Sequence, residues 1–316
     1  TISKICVQCH EKPSVFLYRK ESLCQECLEA AWTKRVKTNL FKSRPNRHER
    51  MTAVYGFTGS VASVALLDIL HSALDVDRSD LIVVHIDVSA VMPENRGWTP
   101  EKNASQHAAL KEIVDGNYGG RWKLDIVKLE DLVQMTAKQL FELVDSYKED
   151  KTTQEDLLAT MVRSALISYA RSKKVHRIVT SETASHLSVK AIASCAKGRG
   201  FQIAEECSLI ENLPDIDMVF SLPLHDNLVD REIAHYFWHK KLRCVEGPRL
   251  VSAAVSQTKS INGLTHSFLM SLQRGFDHSM HTVMRSVEKL STSTTNSTLS
   301  DHKSLTASGS ESSSSA

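Results

Sequence analysis

From residue 51 to about 290 the chain alternates short apolar runs with longer amphipathic ones. Met51–Phe57, Leu81–Val88, Trp122–Leu129, Val175–Thr180 and Ile216–Leu222 are rich in β-branched and apolar residues and read as strands. Between them, Val61–Leu74, Lys102–Val114, Leu132–Tyr147, Glu155–Ser172 and Ser185–Lys197 place apolar residues three and four apart and predict helices. Further helical patterns cover Asn227–Leu242 and Lys259–Leu290. Nearly continuous apolar strands alternating with helices predict an α/β fold, a parallel sheet covered by helices on both faces. Such sheets bind ligands at the carboxyl ends of their strands.

The two ends break this pattern. Residues 1–30 carry Cys6-Val-Gln-Cys9 and Cys24-Gln-Glu-Cys27. Each CxxC turns the backbone so that two thiolates converge, and two such knuckles can close a tetrahedral site around one ion. The segment between them, Val15–Tyr18 followed by Arg19–Ser22, reads as a β-hairpin that brings the knuckles together. The expectation is a small structural zinc ribbon; four free thiols or a redox pair is the alternative. A RING-type arrangement would need a second set of four ligands, which this region does not supply. His10 reads as a surface neighbour, and Cys195, Cys207 and Cys244 as structural. At the other end, residues 291–316 hold 11 Ser and five Thr with no apolar periodicity. They are expected to be a disordered tail, because such a segment buries too little to offset its ordering entropy.

Residues 31–50 form a basic connecting helix with Lys34, Arg35, Lys37, Lys42, Arg44, Arg47 and Arg50 against the single Glu49, a net +6. With Trp32 and Phe41 interleaved, the segment suits contact with a phosphate backbone, which positions a nucleic acid without reading its sequence. The plainer alternative is a solvated helix. Charge over the whole chain hides this feature. Its 316 residues carry 39 Lys+Arg and 37 Asp+Glu, a net +2, so the remainder is −4. A 41% hydrophobic and 24% charged composition excludes fibrous and wholly disordered classes. No apolar run approaches the roughly 20 residues of a membrane span. There is no apolar signal core near the start, although the chain opens on Thr1 and a trimmed start is expected. Cytosolic location follows from these readings as an expectation.

After the first sheet strand comes Thr58-Gly59-Ser60-Val61-Ala62-Ser63, then an apolar helix. Small residues at a helix N-terminus can present backbone N–H groups to an anion. The string is neither a Walker A loop nor GxGxxG, and many α/β proteins have such a turn. Asp87 ends the second sheet strand, where it serves either a nucleotide or a turn. His235 and His239 lie four apart without the glutamate of an HExxH site and read as packing or interface residues. His278 and His281 also lack partners for a metal site.

The order of these features resembles the cytoplasmic tRNA 2-thiolation protein 2 family, of the PP-loop ATP-pyrophosphatase superfamily. The resemblance runs from the Cys6–Cys27 cluster through the basic segment Trp32–Arg50 and the Thr58–Ser63 loop to Leu81–Ala90. It continues in Leu222-Pro-Leu-His-Asp-Asn-Leu-Val-Asp-Arg-Glu-Ile-Ala-His-Tyr236 and in Ser260–Leu290. It implies a Rossmann-like, PP-loop type domain over residues 51–290. The departures bear on function. An active PP-loop reads S-G-G-x-D-S; here Thr58, Gly59, Ser60 and Ser63 remain, and Ala62 stands at the acidic position. The later G-H-x-x-D-D loop appears as Ser181–His186, with Ser185 and His186 in place of its two carboxylates. No cysteine occurs near Leu157–Thr160, where the catalytic partner family has a central CxxC. Adenylation needs a carboxylate-held Mg²⁺, so ATP binding is doubtful. What the resemblance implies is a non-catalytic subunit of the wobble-uridine 34 thiolation complex. Its partners would be tRNA 2-thiolation protein 1, the tRNA anticodon stem-loop and the ubiquitin-related sulfur carrier Urm. The alternatives are an active ATP-dependent sulfurtransferase and a zinc-dependent adaptor without an RNA role.

Overall fold

A computed structural model describes residues 5–42, 50–75, 77, 79–92, 98–225, 229–248, 260–276 and 278–290. The expected 291–316 tail, together with Arg44 and Arg47, lies outside these residues. The chain opens with a hairpin of β1 (Phe16–Tyr18) and β2 (Glu21–Leu23), paired Phe16 to Leu23 and Tyr18 to Glu21. Its two-residue turn, Arg19–Lys20, has both φ angles positive, 49° and 73°. That is the turn geometry that matches the twist of flanking strands. Helix α1 (Gln25–Lys42) starts inside the second cysteine knuckle and continues through the basic segment.

The main sheet has six strands in the order β5-β4-β3-β6-β8-β7. These are β3 (Met51–Gly56), β4 (Ser79–Asp87), β5 (Leu124–Lys128), β6 (Arg177–Val179), β7 (Ile210–Leu213) and β8 (Met218–Ser221). All neighbours run parallel except β7, which pairs antiparallel with β8 at the edge. The sequence pattern did not anticipate β7. The period-two rule assigns the faces: Ala53 and Tyr55 join one apolar cluster, Val54 the other. The first face carries α1, α2 (Val61–Ala73), α3 (Pro100–Lys111) and α9 (Asp230–His239). The second carries α4 (Leu129–Val133), α5 (Ala137–Asp145) and α6 (Lys151–Ser172). A third cluster joins α7 (Ala184–Ala196), the short α8 (Ile203–Glu206), α10 (Ile261–Gly275) and α11 (residues 279–290).

Two long helices expected from periodicity are broken. Leu132–Tyr147 divides where Gln134 turns left-handed, φ 57°, and Thr136 with Gln139 forms a capping box that starts α5. Lys259–Leu290 divides at Phe276, whose extended backbone caps α10. The apolar period survives both breaks, so pattern alone reads through them. The cysteine hairpin is no separate appendage: Cys6, Tyr18, Leu23 and Cys24 share one apolar cluster with α1, α2 and the sheet.

Candidate functional site

The four knuckle cysteines converge as their spacing predicts. Their sulfur atoms all lie within 4.8 Å of one another, with Cys9 and Cys24 Sγ 3.8 Å apart. A tetrahedron with metal–sulfur bonds of about 2.3 Å has edges of about 3.8 Å, so the cage fits a metal ion. Cys6 and Cys24 are buried, Cys9 and Cys27 half-buried. Burial works against a Cys6 thiolate, yet backbone N–H groups of Cys9, Cys24 and Gln8 outweigh it and draw its pKa down to about 6. Burial and hydrogen bonds shared with the other three thiols push Cys27 up to about 12. Metal ligands must be thiolates, and four negative charges at these distances need a cation between them. An ion pair between Lys12 and Glu26 ties the first knuckle to α1.

Helix α1 divides its residues by face. Leu28, Trp32, Val36, Asn39 and Leu40 are buried, and Lys34, Lys37 and Lys42 are exposed. Arg35 is half-buried, and Arg50 is exposed with Asp80 3.9 Å away. Trp32 corrects the expectation that it accompanies a phosphate contact. It is fully buried, with its ring 6.3 Å from Phe16, 6.1 Å from Tyr18 and 5.6 Å from Tyr236. The reason is its spacing, four residues after Leu28 and four before Val36 on the helix's inner face. Phe41 likewise packs against the core.

The Thr58–Ser63 loop lies at the carboxyl end of β3, next to the end of β6. Gly59 has φ +77°, and a Cβ there would collide with Leu110 Cδ2. The loop is tied to itself. Thr58 Oγ1 lies 2.9 Å from Ser60 Oγ and 3.1 Å from Ser63 Oγ, while the Ser63 hydroxyl donates to the Ser60 carbonyl at 3.0 Å. Ser60 caps α2 by accepting from Ser63 N–H. From above, the Val245 N–H donates to the Gly59 carbonyl at 3.0 Å, so a later stretch of chain straps the loop. Ala62 and Ser63 are both buried. At the end of β6, Thr183 caps α7 by accepting from His186 N–H, and Ser185 Oγ accepts from Asp230 N–H at 3.1 Å. Ser60 and Thr183 thus cap the helices that follow the two loops, and Ser185 meets the first N–H of α9.

Asp87 is buried with both oxygens engaged: Ser89 N–H donates at 2.8 Å, Asn103 Nδ2 at 3.0 Å, and His107 Nε2 lies 3.3 Å away. Burial would raise its pKa; the Asn103 and Ser89 hydrogen bonds dominate and hold it below the usual carboxylate range. His235 and His239 face each other as stacked rings 6.4 Å apart. The isolated Cys207 is buried, whereas Cys195 and Cys244 are exposed. His278 stands in the turn before α11, and His281 is on that helix.

Between the β3 and β6 loops opens a crevice of about 840 Å³, lined also by α6 and α7. Strand order reverses at this point, since β4 follows β3 on one side and β6 lies on the other. Its charged lining escaped the sequence reading. Arg163 pairs with Glu211 at 2.6 Å, Lys190 with Glu206 at 3.4 Å, and Lys197 with Asp156 at 2.9 Å, beside an Arg199–Asp156 pair. Asn262 donates to both Glu155 and Asp156 at 3.1 Å. Burial alone would lower the Lys190 pKa, but Glu182 and Glu206 outweigh it and raise it. The available signal was heptad spacing of charge on otherwise apolar helices, Asp156 to Arg163 and Lys190 to Lys197.

A mostly parallel sheet with a small-residue loop after its first strand, a switch-point crevice and a four-cysteine cluster defines a PP-loop type α/β protein. The chain resembles the cytoplasmic tRNA 2-thiolation protein 2 family along most of its length, as its relatives show. A protein of that name from Dictyostelium discoideum is 31% identical over 286 residues, covering 86% of this chain. Those from Coccidioides immitis and Schizosaccharomyces pombe are 23% and 22% identical and cover 91% and 90% of the chain. The chain spans 52% of the length of the Dictyostelium relative, 83% of the Coccidioides one and 78% of the Schizosaccharomyces one. No family model matches. Among solved structures, the fold resembles the U34-tRNA thiolase NcsA from Methanococcus maripaludis with its [4Fe-4S] cluster. The TM-score is 0.69, over 92% of this chain and 89% of that one, at 14% identity. These likenesses support a role in tRNA thiolation. Among the described residues, no helix is long and apolar enough to cross a membrane.

Proposed function

We propose that this chain is a non-catalytic subunit of a cytoplasmic complex that thiolates wobble uridine 34 of tRNA. The observation that carries the reading is the state of the loop that would handle ATP. Its acidic position is Ala62, its hydroxyls bond to one another, and Val245 covers Gly59. In the loop beside it, Ser185 and His186 occupy the other acidic positions; the His186 N–H meets the Thr183 cap of α7, and Ser185 Oγ accepts from the first N–H of α9. Four carboxylates line the crevice: Asp156 and Glu206 hold Lys197, Arg199 and Lys190, Glu155 accepts from Ser260 and Asn262, and Glu182 accepts from the Thr180 hydroxyl. Among the described residues, these carboxylates are taken up by protein partners, which speaks against their sharing a Mg²⁺ with a triphosphate. The α6 segment Leu157–Thr160 offers no thiol for sulfur transfer.

What the chain retains suits binding. Cys6, Cys9, Cys24 and Cys27 would hold zinc, a d¹⁰ ion without redox chemistry that fixes the hairpin and the start of α1. Lys34, Lys37 and Lys42 on the outer face of α1, with Arg35, Arg44, Arg47 and Arg50, would meet the phosphates of the anticodon stem-loop. Activation of the base and sulfur delivery from the ubiquitin-related carrier Urm would belong to tRNA 2-thiolation protein 1. The test is ATP-dependent thiolation of tRNA by this chain alone, by that partner alone and by the two together. Activity only with the partner is expected; full activity of the isolated chain would overturn the reading.

A further inference from the structure

We propose that the outward ridge of α9, centred on Trp238, is a stacking platform for unpaired bases of a looped RNA. This rests on the tRNA-binding reading above and adds a second contact, away from the outer face of α1. Trp238 is 77% exposed, whereas Trp32 and Trp122 are buried and Trp98 is half-buried. Its helix neighbours do the packing: Tyr236 is buried and Phe237 packs against the core. The outer face is left with Arg231, Ala234, Trp238 and His239. The indole thus serves no visible purpose within the fold.

Its surroundings are cationic at both ends. At the N-terminal end of α9 the hairpin turn presents Arg19 and Lys20, and Arg231 lies 5.6 Å from the Phe16 ring centre. Beyond the C-terminal end come Lys240, Lys241 and Arg243, all exposed. From Arg231 to Arg243 the only carboxylate is Glu232, and it is buried. Lys240 pairs with Glu29 of α1 at 2.7 Å, and exposed Arg243 with exposed Glu112 at 3.1 Å. Exposed pairs such as the second contribute little and can be exchanged for a phosphate. A ten-residue helix is about 15 Å long, so cations flank the indole over the length of a few nucleotides. The stacked His235 and His239 rings lie along the same helix.

Charge complementarity selects the occupant. Protein interface cores are depleted of charge, whereas an aromatic face between cations is how proteins take unstacked bases and track their backbone. Duplex RNA offers no free base faces, so the platform should discriminate loops from stems.

The experiment uses the full metal-loaded chain with two probes, an anticodon-type stem-loop and the blunt duplex of its stem. Tryptophan fluorescence should be quenched by the stem-loop and not by the duplex. Trp238→Ala should weaken stem-loop binding about five- to 150-fold and abolish the quench. Trp238→Phe should keep most of the affinity while losing the quench. Circular dichroism matching wild type confirms that the exposed substitutions leave the fold intact. Stem-loop binding that Trp238→Ala leaves unchanged overturns the platform while the tRNA reading stands. A chain that binds neither probe overturns both.

Discussion

Replacing Trp32 with alanine tests whether the cysteine hairpin and the α/β domain unfold as one unit. Trp32 is fully buried at the meeting point of the hairpin, α1 and α9. Its ring stands edge-on to Phe16, Tyr18, His235 and Tyr236 at 5.6 to 6.5 Å. Truncating a buried Trp costs about 3–5 kcal/mol, from lost transfer free energy and the cavity left behind. That is a large share of a typical total of about 5–15 kcal/mol. Its Nε1 has no hydrogen-bond partner among the described residues, so no polar bond is lost with the ring. For the same reason Trp32→Phe should be much milder, about 1–2 kcal/mol, because it keeps most of the apolar volume and removes an unsatisfied N–H. The assay is urea unfolding of the metal-loaded chain, followed both by circular dichroism and by release of metal to a colorimetric chelator. One shared core requires both signals to shift together to lower urea in Trp32→Ala. Metal release that moves while the circular dichroism midpoint stays in place would make the hairpin a separate unit and refute the shared core.

Four further outcomes follow. Stripping the metal should expose residues 5–30 to protease, because without the ion nothing joins the four sulfur ligands that close the hairpin onto α1; equal resistance with and without chelator would refute a structural metal. Glu232, buried and held by the Val229 N–H, has its pKa raised from 4.5 to about 7, chiefly by burial. A carboxyl with a folded pKa above its unfolded one takes up a proton on folding, so stability falls as pH rises from 4.5 to 7. Glu232→Gln should therefore add up to about 3 kcal/mol at pH 8 and little at pH 4, read from denaturation midpoints. Gly59→Ala meets both a left-handed φ and the Leu110 side chain, and should cost about 2–4 kcal/mol of stability; an unchanged midpoint would place the loop wrongly. Reversing Lys34 and Lys37 to glutamate should weaken tRNA binding and lower its salt slope by about 1.4–1.8, whereas an unchanged slope would move the phosphate contact off α1.

Where the sequence was readable, the signal was local. The Cys6–Cys27 spacing, the hairpin over Val15–Ser22 and the strand–helix alternation each state their structure within a few residues, and the structure repeats them. What escaped depends on residues far apart in the chain. Trp32 lies between cases: its spacing from Leu28 and Val36 marks a buried stripe, but the surrounding lysines suggested an exposed role. β7 is a short edge strand, and the polar Glu211 and Asn212 within it mask any period. The crevice charges come chiefly from α6 and α7, with Asn262 of α10 between them, and the Asp156–Lys197–Asn262 contacts exist only once those helices pack. The Val245 strap reaches Gly59 from far along the chain, and no local pattern announces such a bond.

The strap and the altered loop explain each other. A phosphate-binding turn leaves N–H groups at a helix start to be met by its ligand, so without that ligand its helix start is poorly satisfied. Here Ser60 supplies a side-chain cap, Thr58 and Ser63 close the turn, and Val245 occupies the approach to Gly59. Ala62 sits buried where an aspartate would carry an unpaired charge in the absence of metal and phosphate. Once the loop is satisfied from within, α2 keeps its start, β3 keeps its register, and the face that supports α1 and α9 stays in place. Those two helices carry the exposed cations and Trp238. The internally bonded loop thus supports the helices that carry those cations and Trp238.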